Sequence, residues 1–167
     1  MNLRSTTLAL ALVGGLASVV RAQNGTSLTA TITIQPSISV STVRNMDFGI
    51  MSQGITDLSI SDPANDPRSA QVHVSARALN LVTVGFVLPA DLSDGAGHTI
   101  PITEWFGTFI AIGPGNTAFT PSMAGRTTTQ IGNDGNLELF LGSHLGIDSN
   151  QFPATYTGVI LVDVFYF

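Results

Sequence analysis

The chain contains no cysteine and no lysine. Without cysteine there is no disulfide, so a folded domain must hold itself by its core alone. There is equally no cysteine to carry a lipid anchor. Without lysine, the lysine isopeptide bonds that tie some surface shafts together are chemically excluded. Charge and aromatics are scarce: charged residues make up 10% of the chain and aromatics 7%, with Trp105 the single tryptophan. The formal net charge is −5, which argues against a nucleic-acid or anionic-membrane partner. The sequence has one long apolar run, at its start, and none elsewhere that would make a spanning helix.

That opening run reads as a secretory signal peptide. Arg4 supplies a positive start, and Leu8 to Val20 is apolar but broken by Gly14, Gly15 and Ser18, too short to span a bilayer. Val20-Arg21-Ala22 predicts cleavage between Ala22 and Gln23, which sets residues 1–22 aside as a targeting segment. The remainder keeps Arg44, Arg68, Arg77 and Arg126 and every acidic residue, so it is more acidic still. A type IV pilin would continue its apolar start as a long helix. Here the run gives way to Thr-rich alternation, which suits strands and not helices.

The alternation is strictest in LTATITIQPSISVS, Leu28 to Ser41. Leu28, Ala30, Ile32, Ile34, Pro36, Ile38 and Val40 fall on one side, and Thr, Gln and Ser on the other. Pro36 cannot donate to a ladder, so it divides an arm (residues 23–36) from a domain (37–167). Period-2 runs continue through Met46 to Ile50, Leu58 to Ile60, Gln71 to Ala76, Leu81 to Leu88, Thr99 to Thr103, Thr108 to Ile112, Leu137 to Leu141, Leu145 to Ile147 and Thr155 to Phe167. Between them lie turn-rich stretches: SDPANDPRS (61–69), DLSDGAGH (91–98), GPGN (113–116), a loop over 117–129, and GNDGN (132–136), the last reading as a hairpin turn. Short strands with such punctuation and no helix predict an all-β antiparallel sandwich or barrel.

Catalytic motifs are sparse. Ser143-His144 lacks the Gly-x-Ser-x-Gly elbow. His73, His98 and His144 have no metal-ligand spacing. Asp62 with Asp66, and Asp91 with Asp94, read as Asx-turn residues ahead of weak calcium ligands. Asn24-Gly25-Thr26 matches a glycosylation acceptor, a short pattern that arises often by chance. Trp105 reads as core. No enzyme and no cofactor is expected.

The last strand has two faces. Tyr156, Gly158, Ile160, Val162, Val164 and Tyr166 form one, nearly all apolar; Thr157, Val159, Leu161, Asp163, Phe165 and Phe167 form the other. A long apolar edge strand invites pairing with another chain. One form of such pairing is strand addition, in which main-chain bonds give affinity and alternate side chains fill pockets. The stretch at 28–34 is suited to that role, and equally to being the protein's own first strand bent at Pro36.

Three stretches carry a resemblance: ITIQPSISVSTVRNMDFG (32–49), VHVSARALNLVTVGFVLP (72–89) and DGNLELFLGSHLGIDSNQFPATYTGVILVDVFYF (134–167). Through them the chain resembles the bacterial domain-of-unknown-function 4402 family, secreted β-rich proteins similar to chaperone–usher pilins. It departs from that pattern at Gly142-Ser143, Ala154 and Val162-Asp163-Val164. The resemblance implies an immunoglobulin-like antiparallel sandwich completed by a donor strand from a neighbour. Leu28, Ala30, Ile32 and Ile34 would be the donor residues. Tyr156, Gly158, Ile160, Val162, Val164 and Tyr166 would line the accepting groove. The implied partners are copies of itself or related pilin subunits, a periplasmic chaperone and an outer-membrane usher. The implied route runs through the periplasm to the cell surface, and the implied role is filament formation and adhesion to an unidentified receptor. The alternatives are a self-contained secreted binding module, with carbohydrate as one ligand class, and an outer-membrane barrel. Asp163 on the Phe165 face opposes the barrel, because a charge facing lipid is costly.

Overall fold

The computed structural model describes residues 29, 31, 32, 34 and 36–167. The expected signal peptide, the cleavage pair Ala22 and Gln23, and the donor residues Leu28 and Ala30 lie outside the described residues. The chain divides into Met1–Ile34 and Gln35–Phe167. In the first unit, Ile32 and Ile34 have no regular secondary structure and are exposed. The second unit carries the fold.

Ten strands form among the described residues: β1 (Ser39–Arg44), β2 (Asp57–Ser59), β3 (Ala70–Ser75), β4 (Leu81–Val87), β5 (Asp91–Ser93), β6 (Thr99–Ala111), β7 (Gly115–Phe119), β8 (Thr127–Gln130), β9 (Asn136–Gly146) and β10 (Leu161–Tyr166). All pairs are antiparallel. The larger sheet runs β1-β3-β9-β6-β5, with β2 beside the far end of β9 and β7 beside the far end of β6; the smaller sheet is β10-β4-β8. The molecule is an all-β antiparallel sandwich. Among the described residues neither sheet closes on itself, since β1 pairs with β3 alone and β10 with β4 alone.

Strand period 2 makes the core. Leu137, Leu139 and Leu141 of β9, Val72 and Val74 of β3, and Phe109 and Ala111 of β6 face Val82, Val84 and Phe86 of β4, all buried in one cluster. A second cluster of Ile100, Leu145 and Ile147 sits further along β9 and β6, with Phe48, Met51 and Tyr156 packed on it. Phe119 stacks between Phe109, at 4.2 Å, and Phe86, at 5.7 Å, tying β7 to both sheets.

Several elements differ from the sequence expectation. The runs at 137–141 and 145–147 are one strand. Gly142 does not turn the chain: a Cβ there would overlap the Ile60 carbonyl oxygen, so the missing side chain lets the Ile60 backbone lie across β9. The Ile60 amide donates to the Ser143 carbonyl at that crossing. The runs at 99–103 and 108–112 also merge, because bare Gly107 receives the Phe119 ring. Asp134-Gly135 is a turn, with Gly135 at φ 83°, but not a hairpin: β8 belongs to the small sheet and β9 to the large one. The 91–98 turn begins with β5, the 117–129 loop contains the end of β7 and the start of β8, and Met46 to Ile50 forms no strand. The last strand is regular only from Leu161, with Thr157 bridging to Ser93 before it.

Packing of this kind sets a scale for substitutions. Leu139→Ala should lower unfolding free energy by about 2–5 kcal/mol. Gly142→Ala should cost about 1–3 kcal/mol or more, since the Ile60 backbone has to move. Exposed Leu161→Ala should stay within about 0.5 kcal/mol. Urea unfolding followed by circular dichroism measures all three.

Candidate functional site

The site begins with an inequality inside the small sheet. On β4, Val82, Val84 and Phe86 point inward and are buried. On neighbouring β10, Val162, Val164 and Tyr166 point the same way and pack on the same core, yet all three are only half-buried. Their register is direct: Val162 lies opposite Phe86, Val164 opposite Val84 and Tyr166 opposite Val82. The difference is lateral cover. β4 has β10 on one side and β8 on the other, whereas no strand among the described residues pairs with the second edge of β10. An unpaired edge leaves both its main-chain groups and the flank of its inward side chains open.

This seam has two different ends. At one end the Tyr166 hydroxyl accepts the Arg77 amide at 3.0 Å and donates to the Ser37 carbonyl at 3.4 Å, joining β10 to the chain just before β1. At the other end it widens into a cavity of about 670 Å³. One wall is the segment after β1, with Met46, Phe48 and Met51; the facing wall is the segment before β10, with Tyr156, Gly158 and Ile160. Trp105 also lines the cavity. The walls also touch directly, through the Gln53 side-chain amide and the Gln151 carbonyl at 3.4 Å. Gly158 sits close against Leu92 and Pro89, so that a side chain there would have to displace the tip of Leu92. Of the six residues expected on the inward face of the last strand, Tyr156, Gly158 and Ile160 line the cavity, and Ile160, Val162, Val164 and Tyr166 pack against the core. Sequence reading missed Met46, Phe48, Phe152 and the position of Trp105, which is half-buried beside the cavity and not deep in the core. For Met46 and Phe48 the signal was the apolar alternation at 46–50, in a segment that forms no strand and is tied by the Asp47 amide to the Arg68 carbonyl.

The polar groups nearby are committed to one another. Ser143 is buried, and its hydroxyl donates to the Met46 sulfur at 3.6 Å. Neighbouring strand residues point to opposite faces, so His144 turns away from Ser143 and pairs with Asp57 at 2.7 Å. No nucleophile–base pair forms there. His73 pairs with Glu138 across β3 and β9 at 2.6 Å. At the cavity rim, His98 pairs with Asp94 at 2.6 Å and stacks flat on Phe152 at 4.2 Å. The expected Asx geometry is present: Asp94 accepts the Ala96 amide, and Asp66 the Arg68 amide. Among the described residues no group of three His, Cys, Asp or Glu is placed to hold a metal ion, and no helix is long and apolar enough to cross a membrane.

Compared with models of known families and with curated proteins, the chain matches none.

Three carboxyls are held below their ordinary range. His98 does this to Asp94 through its side-chain hydrogen bond, reinforced by the Ala96 and His98 amides. The Arg68 side chain does it to Asp66, and the Asn136 side chain to Asp134. A carboxyl with a lowered folded-state pKa stabilises the fold above its unfolded value, here 3.8, and that contribution is lost as pH falls through the lowered value. Asp94→Asn should therefore unfold at lower urea than the parent at pH 5–7. The two midpoints should converge as pH is brought below about 3, which urea titrations across pH 2–7 would show.

Proposed function

We propose that this chain is an exported structural subunit of a surface filament, joined to its neighbours by strand donation, with a role in adhesion. The observation that supports this reading is β10: an apolar strand whose inward residues are half-covered and whose second edge has no partner among the described residues. A strand laid along that edge would satisfy its main-chain groups and cover Ile160, Val162, Val164 and Tyr166 together. The alternating stretch at 28–34 has the required chemistry, with Leu28, Ala30, Ile32 and Ile34 on one side and threonines on the other. Burial of Leu28, Ile32 and Ile34 would contribute roughly 1.5–3 kcal/mol each as an upper figure. The resemblance to pilin-like secreted proteins supports the same reading and adds the chaperone and usher as transit partners. In that setting the sandwich is immunoglobulin-like, the signal peptide directs export, and the receptor is a surface ligand of unidentified class.

A second reading has its own support. The sandwich core is contiguous within residues 70–141, and the 670 Å³ cavity with its aromatic rim has the size of a small-ligand site. A self-contained secreted module binding a carbohydrate would use that cavity.

Two forms of the protein separate these readings, one from Gln23 and one lacking residues 23–35. Under strand donation, the longer form makes multimers that survive SDS without heating, and the shorter form does not. A peptide of residues 26–36 then stabilises the shorter form by about 2.7 kcal/mol at a hundredfold excess over its Kd, raising Tm by about 5–10 °C. A longer form that stays monomeric, with a shorter form that merely unfolds, would sink the filament reading.

A further inference from the structure

The two outer faces of the sandwich are unlike. Outside the large sheet, β1, β3 and β9 present the polar Ser39, Ser41, Gln71, His73, Ser75 and Glu138, and the apolar Phe140 that β9 also turns to this side is only 9% exposed. Outside the small sheet, β4 and β10 present Leu81, Val87, Leu161, Phe165 and Phe167, each about half exposed or more. Leu161 and Val87 are direct cross-strand partners, and Phe165 lies opposite Thr83. Single exposed apolar residues are unremarkable, but a contiguous patch on one sheet face marks a contact surface.

The centre of the patch identifies its partner. Asp163 lies over bare Gly85, whose missing side chain leaves it room. Its carboxylate meets Arg126 at 3.2 Å, and the Arg126 guanidinium lies 4.9 Å above the Phe165 ring. Both charged side chains stay substantially exposed, at 54% and 43%. One positive and one negative group therefore stand side by side, flanked by the apolar Leu161, Val87 and Phe165 and bordered by the uncharged Thr83, Thr128 and Gln130. Against a copy turned by a two-fold rotation, each arginine meets the other copy's aspartate, and the apolar flanks meet each other. Isologous contacts need this self-complementarity. The rest of the molecule is acidic and lysine-free, so an acidic partner would be repelled. A strongly basic partner would prefer the acidic surfaces to this neutral one.

We infer that the outer face of the small sheet is a contact surface for a second copy of this chain, related by a two-fold axis passing beside Arg126 and Asp163. It uses the outward side of β10 and is separate from the inward seam, so it adds lateral contact between subunits whatever occupies the seam.

The test uses the full chain, sedimentation over a dilution series, and two charge reversals. Arg126→Asp leaves two acids at the centre, and Asp163→Arg leaves two bases. Each alone should weaken dilution-reversible self-association by about tenfold or more. An equimolar mixture of the two should restore it, because each copy then supplies what the other lacks; an ion pair acting only within one chain gives no such recovery. Leu161→Glu, at an exposed position, should also abolish the association, with a thermal unfolding curve matching the parent's at dilutions where the parent is monomeric. A parent protein showing no dilution-reversible mass increase up to several hundred micromolar would overturn the inference. So would a mixture that associates no better than its components. SDS-resistant multimers, read separately on unheated gels, report on strand donation and not on this face.

Discussion

The leucine row of β9 is the constraint on which the remaining structure depends. β9 is bonded along one edge by β6 and along the other by β3 and then β2, and Leu137, Leu139 and Leu141 fill the space in front of β4. A chain without cysteine has no disulfide to substitute for that burial. The glycines in and beside the row serve it: Gly142 lets the Ile60 backbone cross, and Gly107 admits Phe119, which closes the core over Phe109. A side chain at either place would push apart elements whose apposition is the source of stability.

A sandwich anchored on a central strand leaves its margins under-satisfied, and β10 carries most of that deficit. Among the described residues it is bonded on one edge only, with a half-open inward side and an apolar outward side. Proteins blunt such edges with charge, proline or cover. Here one charge is present, Asp163, but Arg126 neutralises it. The seam and the outer face are thus two consequences of one marginal strand. In the proposed filament the first takes a strand from a neighbour, while the second meets a copy laterally.

Much of this was legible in the residues. Period-2 alternation identified most strands and assigned inward and outward sides correctly for β3, β4, β9 and β10, because side-chain direction follows the pleat without help from distant contacts. Turn chemistry was legible where φ is positive, as at Gly135. Errors arose where a glycine served approach and not turning. Gly142 and Gly107 looked like breaks between strands, and only the neighbouring Ile60 and Phe119 reveal why the chain runs straight through. The Asp134-Gly135 turn was read as a hairpin because local sequence specifies the bend but not which sheet receives the next strand.

The sequence by itself determined the fold class, the absence of covalent cross-links and the two-sided character of the last strand, since alternation and composition are properties of short segments. Tertiary structure alone decided which edges remain unpaired, that Met46, Phe48 and Trp105 join Tyr156 and Ile160 around one cavity, and that Arg126 reaches Asp163 across Phe165. Those groupings join residues tens of positions apart. Which distant segments become neighbours is set by the packing of two sheets around a shared core, a property that no local pattern encodes.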